Sequence, residues 1–586
     1  MTAFYKTLIA SLNMQAVYNI AEICAQHGIT DVVLSPGSRS APLTLAFARH
    51  PSLTVRVVPD ERAAAFIALG MAQAQRRAVA LVCTSGTAGL NYAPAVAEAF
   101  FQQIPLVIFT ADRPPEWIDQ LDGQTIRQRN LFGAHAKGAF EFPVETSHPD
   151  AKWYSARLVN EAINLAQAAP AGPVQMNVPL REPFYPKAGE LIKYEQDVKI
   201  IRDGGAETSL NTFSRELLPQ DLGTGTLFKR ILVVVGQHVR DEELNRELSN
   251  FSQQSGAAIV ADVISNAEAA GVSRQDIFLS SQAEPFLQDL QPDLLITIGK
   301  SLISKTLKQY LRKWPTQQHW HLQPHAHPVA DVFRSLSDIY RVNPAFFLND
   351  FSAEFSQESR LKSYSFGKHW RDANHRAVEF LTAFFANQAP FNEFSAFRPI
   401  LTALVTGTAL HLANSMAVRY ANILGIPQGW QIEVFANRGT SGIDGCTSTA
   451  VGAALAQPER PVVLLTGDVA FFYDRNAFWH NYPLPNLRVV LFNNHGGGIF
   501  RIIDGPRQQP ELDEFFETRQ ALTAENTAKD FNLRYFPVSS FEELEAALPV
   551  FFAAESGAAL LEVFTDSKTN AAFFEQYRGA VKTAFA

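Results

Sequence analysis

Cysteine is nearly missing from this chain: three residues in 586, Cys24, Cys83 and Cys446, none near another. That spacing excludes a CxxC metal or redox pair. Long apolar runs are also missing. None reaches the roughly 18–20 residues of a membrane span, and the N-terminal MTAFYKTLIASLN lacks the pattern of a secretory signal. Charge is sparse at 18%, with 50 Lys and Arg against 58 Asp and Glu, a formal net −8 and no basic run. This balance argues against nucleic acid as a partner. No GxxxxGK[ST] loop and no GxGxxG fingerprint occurs, which weighs against a P-loop NTPase or an ordinary dinucleotide enzyme. His495-Gly496-Gly497-Gly498 mimics the oxyanion loop of esterases, but no GxSxG elbow accompanies it. The expectation is a soluble cytoplasmic protein without a transmembrane segment.

Apolar residues make up 47% of the chain, enough to bury large cores. The 44 phenylalanines are scattered and read as core filler. Short apolar runs alternate with helical stretches: Asp31–Leu34, Val55–Val58, Ala78–Cys83 and Leu106–Phe109 in the first third, Ile231–Val235, Ala257–Asp262 and Asp293–Gly299 in the middle, and Ile432–Phe435, Val462–Leu465, Val489–Phe492 and Leu560–Phe564 in the last. This alternation predicts βαβ units and an α/β fold of three parallel-sheet domains, with ligands at the carboxyl ends of the strands. The boundaries read as 1–190, then 191–360 with a leading linker over about 186–229, then 361–586. A polar helical stretch over 345–390 forms the second connection.

Two local signals carry chemistry. Val462–Leu465 runs into Thr466-Gly467-Asp468, and Val489–Phe492 runs into Asn493-Asn494-His495-Gly496. The step from Asp468 to Asn494 suits one strand-to-strand crossover through a helix, which sets both polar ends side by side. A carboxylate, an Asn carbonyl and a nearby backbone carbonyl are hard oxygen ligands that suit Mg²⁺ and a diphosphate. Taken alone, GD and NN are also common turn dipeptides. The second signal is Asp60-Glu61-Arg62 between a strand and a helix, where a lone Glu is simply favourable with the helix dipole.

Together these residues resemble the thiamine-diphosphate enzymes, whose metal motif is GD(G), some 25–30 residues, then NN. Their glutamate lies in an N-terminal pyrimidine-binding domain. The layout is similar to the pyruvate-oxidase-like members: a pyrimidine-binding domain, a central domain and a diphosphate-binding domain. Val469 stands where the motif carries a second Gly. Further motifs occur in order: Ser35-Pro36-Gly37-Ser38-Arg39-Ser40, Thr84-Ser85-Gly86-Thr87-Ala88, Ala111-Asp112-Arg113-Pro114-Pro115-Glu116, Asn414-Ser415, and Ser441-Gly442-Ile443-Asp444-Gly445 after Asn437-Arg438-Gly439. This series resembles the synthases that make 2-succinyl-5-enolpyruvyl-6-hydroxy-3-cyclohexene-1-carboxylate in menaquinone biosynthesis.

The resemblance implies thiamine diphosphate with Mg²⁺ or Mn²⁺, and 2-oxoglutarate and isochorismate as substrates. Glu61 is implied to bond the pyrimidine ring. Asp468, Asn494 and the Gly496 carbonyl would hold the metal, and Ser415, Gly442, Gly467, Val469 and Ala470 would line the cofactor. Ile443 would be the apolar wedge beneath it. Both substrates are dicarboxylates, and the motifs contain a matching set of cations: Arg39, Arg113, Arg419, Arg438 and Lys305. Ser38, Gln124 and Ser415 would add hydrogen bonds, and Ile499 and Phe500 an apolar wall. Gly123 and Thr306 depart from residues that related sequences can carry. The resemblance also implies a homodimer or homotetramer, with Glu61 and Asp468 supplied by different chains, and a structural role for the central domain. Two alternatives stay open: another thiamine-diphosphate 2-keto-acid decarboxylase or carboligase, and a catalytically silent scaffold of the same fold.

Overall fold

The computed structural model of the chain describes residues 3–182, 185–186, 191–203, 228–268, 271–352, 357–386 and 389–586. The linker expected over 186–229 falls mostly outside them. Three sheets are present among the described residues. The first contains β1 (Asp31–Leu34), β2 (Thr54–Val57), β3 (Val79–Cys83), β4 (Leu106–Asp112), β5 (Gly138–Glu141) and β6 (Val174–Pro179) in the order β2-β1-β3-β4-β6-β5. The second contains β7 (Ile231–Val235), β8 (Ala258–Ala261), β9 (Leu294–Ile298), β10 (Gln318–Gln323) and β11 (Asp338–Arg341) in the order β11-β10-β9-β7-β8. The third contains β12 (Ala409–Leu412), β13 (Glu433–Phe435), β14 (Val462–Gly467), β15 (Leu487–Asn493), β16 (Arg534–Val538) and β17 (Ala559–Phe564) in the order β13-β12-β14-β15-β17-β16.

The first and third sheets therefore share one strand order, and the second repeats it with one strand fewer. The strands pair in parallel, as β1 does with β2 and β3, β7 with β8 and β9, and β12 with β13 and β14. Strands such as β3 (VALVC) and β7 (ILVVV) are buried along their whole length, as helices on both faces of a parallel sheet require. The order reverses between β1 and β3 and again between β12 and β14. At such switch points the loops leaving the strands splay apart and open a crevice.

The chain forms two compact units. One comprises Met1–Gly205, Asn437–Arg460 and Ala470–Leu487; the other comprises Ala206–Ala436, Pro461–Val469 and Arg488–Ala586. In the first unit the helix Glu61–Gln75 packs on the helix Cys446–Ala456. Their backbones touch. A Cβ on Gly70 would sit 2.0 Å from the Thr449 carbonyl oxygen, and one on Gly452 would sit 2.1 Å from that of Ile67. Gly452→Val is expected to cost about 3 kcal/mol or more, because backbone rather than a pliable side chain blocks the new methyls. A thermal melt of the variant checks this; an unchanged midpoint would mean that the helices are not in register as described.

In the second unit phenylalanine does serve as core. Phe397 stacks on Phe492 with ring centroids 4.3 Å apart, and Phe394 lies against Tyr420, Phe574 and Tyr577.

Candidate functional site

In the first unit the loops leaving β1 and β3 lean on each other: a Cβ on Gly37 would lie 2.2 Å from the Thr84 side chain. Ser35 Oγ donates to the Val58 carbonyl at 2.8 Å, tying the β1 loop to the end of β2. Ser38 sits in this β1 loop. Beside it Arg39 is buried and donates through Nη1 to the Leu180 carbonyl at 3.0 Å. Asp60 caps the Glu61–Gln75 helix by accepting from Ala63 N at 3.1 Å, and its other oxygen accepts from Asn476 Nδ2 at 2.8 Å. Glu61 is thereby fixed as the first helical residue, half-buried. Burial, with the Glu61 charge adding to it, pushes both the Cys83 thiol and the Tyr92 hydroxyl up. Glu61 thus lies within electrostatic reach of two groups that stay neutral.

Arg113 pairs with Asp122 through Nε at 3.0 Å and donates through Nη2 to the Gly123 carbonyl at 3.0 Å. The Gly123 departure therefore still supplies an acceptor, and no atom lies within 4 Å of where a Cβ would project. Gln124 is exposed at φ 56°, with its backbone 3.3 Å from a Cβ placed on Gly86.

The segment with Arg438, Gly442 and Ile443 hangs on a residue the motifs do not reveal. Glu98, buried, accepts from Gly439 N at 2.7 Å, Thr440 N at 2.6 Å and Thr440 Oγ1 at 2.5 Å. Its one sequence signal is a carboxylate inside the apolar helix Ala93–Gln102. Gly445 closes the turn where a Cβ would lie 2.1 Å from the Phe66 ring. Ala470 also belongs to this unit.

The second unit brings the GD and NN ends together, as their spacing predicts. Strands β14 and β15 are neighbours. Asp468 Oδ2 accepts from Gly496 N at 2.7 Å and from Gln520 Nε2 at 3.0 Å, and Oδ1 accepts from Val469 N at 2.8 Å. Asp468 and Asn494 are both buried. Loss of solvent pushes the Asp468 carboxyl up to about 6, against those three hydrogen bonds. Asn494 donates through Nδ2 to the Glu393 carboxyl, while its Oδ1 is buried with no partner among the described residues. A desolvated carboxylate beside an orphaned amide oxygen is a donor set that a hard divalent cation satisfies, and the residues present fit the metal of a diphosphate cofactor.

Among the described residues no group of three or more His, Cys, Asp and Glu can hold a metal ion. A cation here must rely on an Asp–Asn pair completed by backbone, water or phosphate oxygens. The Gly496 carbonyl, the expected third ligand, accepts from Gly498 N at 2.9 Å and keeps a second lone pair. The glycines are needed: Cβ atoms would lie 2.7 Å from the Glu517 carbonyl oxygen at Gly496 and 2.9 Å from Asn494 Nδ2 at Gly498.

Glu393 is the second residue that motif reading missed. It is buried at the start of the helix Glu393–Thr402, behind a capping box of Asn392 and Ser395. By taking the Asn494 amide nitrogen it fixes the side chain and leaves Oδ1 as the atom still able to accept. Glu393→Leu is expected to weaken Mn²⁺ affinity about 10–100-fold, the usual effect of removing an orienting partner, while Glu393→Gln retains an acceptor and most of the affinity. Titration of Mn²⁺ by electron paramagnetic resonance reads this directly; equal affinities in all three proteins would remove the orienting role.

Gly467 ends β14. Ser415, at φ 73°, turns the chain into the helix Met416–Leu424, and Arg419 donates to its carbonyl. Lys305, exposed, starts the helix Lys305–Lys313, which Ser304 caps by accepting from Leu307 N at 3.0 Å. Thr306 follows it in the first turn. Ile499 and Phe500 open the short helix Ile499–Ile502, and the Phe500 ring meets that of Phe516 at 5.8 Å. The expected residues thus fall into two sets. Ser38, Arg39, Glu61, Arg113, Gln124, Arg438, Gly442, Ile443 and Ala470 lie in the first unit; Lys305, Ser415, Arg419, Gly467, Asp468, Val469, Asn494, Gly496, Ile499 and Phe500 lie in the second.

Comparison with known proteins bears on both sets. Residues 14–131 match the thiamine pyrophosphate enzyme N-terminal TPP binding domain, 214–412 the middle domain of thiamine pyrophosphate enzymes, and 416–563 the C-terminal TPP binding domain. A protein of Cytophaga hutchinsonii named 2-succinyl-5-enolpyruvyl-6-hydroxy-3-cyclohexene-1-carboxylate synthase is 46% identical over 98% of this chain and 100% of its own length. Proteins of the same name from Flavobacterium johnsoniae and Porphyromonas gingivalis are each 36% identical, over 95% of this chain and 97% and 96% of their own lengths. Among solved structures, benzoylformate decarboxylase from Polynucleobacter necessarius superposes with a TM-score of 0.67 at 17% identity, covering 94% of this chain and 98% of that one, a likeness of fold. With full-length relatives at this identity, the chain belongs to the 2-succinyl-5-enolpyruvyl-6-hydroxy-3-cyclohexene-1-carboxylate synthase family of thiamine pyrophosphate enzymes.

Proposed function

We propose that the chain decarboxylates 2-oxoglutarate and adds the remaining four-carbon unit to isochorismate, giving 2-succinyl-5-enolpyruvyl-6-hydroxy-3-cyclohexene-1-carboxylate for menaquinone synthesis. One observation carries this reading: the 46% identity, over 98% of the chain, to a relative named for that product. Thiamine diphosphate, when bound, supplies the electron sink for decarboxylation. Asp468 and Asn494, with the Gly496 carbonyl, would hold Mg²⁺ or Mn²⁺ against its diphosphate, and Gly467, Val469, Ala470, Ser415 and Gly442 would line it. Glu61 would hydrogen-bond the pyrimidine ring nitrogen and take part in its proton exchange. Ile443 supports the cofactor from below.

Arg39, Arg113, Arg419, Arg438 and Lys305 neutralise the substrate carboxylates. For Arg113 this means exchanging Asp122 for substrate, a swap between two similar carboxylates at a partly exposed pair. Ser38, Gln124 and Ser415 orient the substrates by hydrogen bonds. Ile499 and Phe500 exclude water from the ring face of isochorismate. In this reading Glu61 comes from one chain and Asp468 from its partner, so a homodimer is the smallest complete catalyst and a homotetramer a pair of these. The enzyme works in the cytoplasm. Residues 1–190 form the pyrimidine-binding domain, 191–360 a structural central domain and 361–586 the diphosphate-binding domain.

The test is isochorismate consumption, followed by absorbance, with single omission of 2-oxoglutarate, thiamine diphosphate or Mg²⁺. Loss that needs every component supports the proposal. Release of CO₂ without isochorismate loss would move the acceptor elsewhere, and no reaction from folded, cofactor-bound protein would leave a silent scaffold.

A further inference from the structure

The second unit contains a half-open cavity of about 260 Å³ that shares no residue with the site described above. Its walls include Leu381, Leu401, Leu424 and Ile426, and two guanidiniums reach it, Arg274 and Arg398. Among the described residues no acidic side chain lines it.

Arg274 is held in place by its own surroundings. Nη1 donates to the Ser273 carbonyl at 3.1 Å and to Ser273 Oγ at 2.7 Å, and Nη2 donates to the Leu424 carbonyl at 2.6 Å. Its Nε is shielded from solvent and has no hydrogen-bond partner among the described residues. Burial brings the guanidinium down to about 10, so it remains a cation at neutral pH. Gly425, at φ 78°, leaves the room it needs: a Cβ there would lie 1.9 Å from Arg274 Nη2. Arg398 lies over the Phe385 ring at 4.7 Å. Among the described residues neither arginine forms an ion pair with a carboxylate. Two cations without counter-charge at one cavity raise its potential, and a low-dielectric wall strengthens that field. The charge calls for an anion. The apolar walls call for a hydrocarbon surface, which an inorganic oxyanion would leave facing water.

We propose that this cavity binds a small carboxylate with an apolar body, its carboxylate between Arg274 and Arg398 and its body against Leu381, Leu401 and Ile426. Planar bidentate pairing with guanidinium favours a carboxylate at one end, and about 260 Å³ limits the ligand to the size of a substituted benzene ring.

The test is calorimetric titration of the full-length protein with benzoate, with 2-oxoglutarate saturating so that the substrate pocket is filled. The expected result is one site per chain, weakened about tenfold or more by Arg398→Gln and by Thr402→Trp. The second variant blocks the cavity from its exposed rim. Both positions are exposed, so thermal midpoints should be unchanged, and benzyl alcohol and inorganic phosphate should bind at least tenfold more weakly than benzoate. Binding of equal strength in wild type and both variants would overturn the proposal, as would phosphate binding as well as benzoate or the absence of any heat.

Discussion

Replacing Glu61 by Gln should lower turnover by about 10²–10⁴-fold while leaving the fold intact. The size is that of a positioned proton donor or acceptor. The variant keeps the shape and removes the titrating oxygen. The local structure does not depend on that oxygen, because Asp60 caps the helix and Asn476 holds Asp60. A terminal charge at a helix N-terminus contributes about 0.3–1 kcal/mol, so the thermal midpoint should fall by only a few degrees. Paired measurements of isochorismate turnover and melting decide the matter. A variant retaining more than a tenth of wild-type turnover would take Glu61 out of the proton chemistry, and one that unfolds would show that its role is structural.

The second large effect is expected at Asp468. Asp468→Asn should abolish the stabilisation that Mg²⁺ with thiamine diphosphate gives the wild-type protein. At a hundredfold excess over the dissociation constant that stabilisation is about 2.7 kcal/mol. The substitution places an NH₂ where the carboxylate now accepts from three donors, Val469 N, Gly496 N and Gln520 Nε2. At most one oxygen remains to accept, so at least one buried donor is stranded at a cost of about 1–3 kcal/mol. Removing a carboxyl already pushed up to about 6 by desolvation offsets part of this loss in the metal-free protein. The metal-free midpoint should therefore shift modestly, whereas the ligand-induced rise disappears. Melts with and without Mg²⁺ and cofactor separate the two. A full rise in the variant would show that Asp468 is not a metal ligand.

Much of the architecture was legible because buried parallel strands write themselves as continuous apolar runs, and β3, β7, β9, β14 and β15 are of that kind. The strands that escaped carry other chemistry. β6, VQMNVP, is buried yet holds Gln175 and Asn177, whose amides bond Thr110, Gln128 and Asp112 across the sheet. β16 contains Pro537, and β10 interleaves His and Gln with Trp320. β5 (GAFE) and β11 (DIYR) are only partly buried and include charged residues, and β12 (ALHL) carries His411 within its four positions. At the site, the side-by-side placement of Asp468 and Asn494 was legible because the spacing of their strand ends suits one crossover through a helix. Glu98 and Glu393 were not. Each acts on a partner hundreds or scores of positions away, Gly439 and Asn494, and no local pattern encodes that pairing.

The contact between the Glu61–Gln75 and Cys446–Ala456 helices bears on how the protein is made. Cys446 follows Gln75 by 371 positions, and synthesis proceeds at roughly 5–20 residues per second. For about 20 to 70 seconds the face of the earlier helix that carries Ala63, Phe66, Ile67 and Gly70 is therefore outside the ribosome without the helix that covers it. On that face Ala63 and Gly70 keep down the apolar area that is exposed with Phe66 and Ile67, where four large side chains would give a stray chain more to grip. The small residues that let two backbones touch in the finished molecule are also the ones that make the wait on the ribosome tolerable.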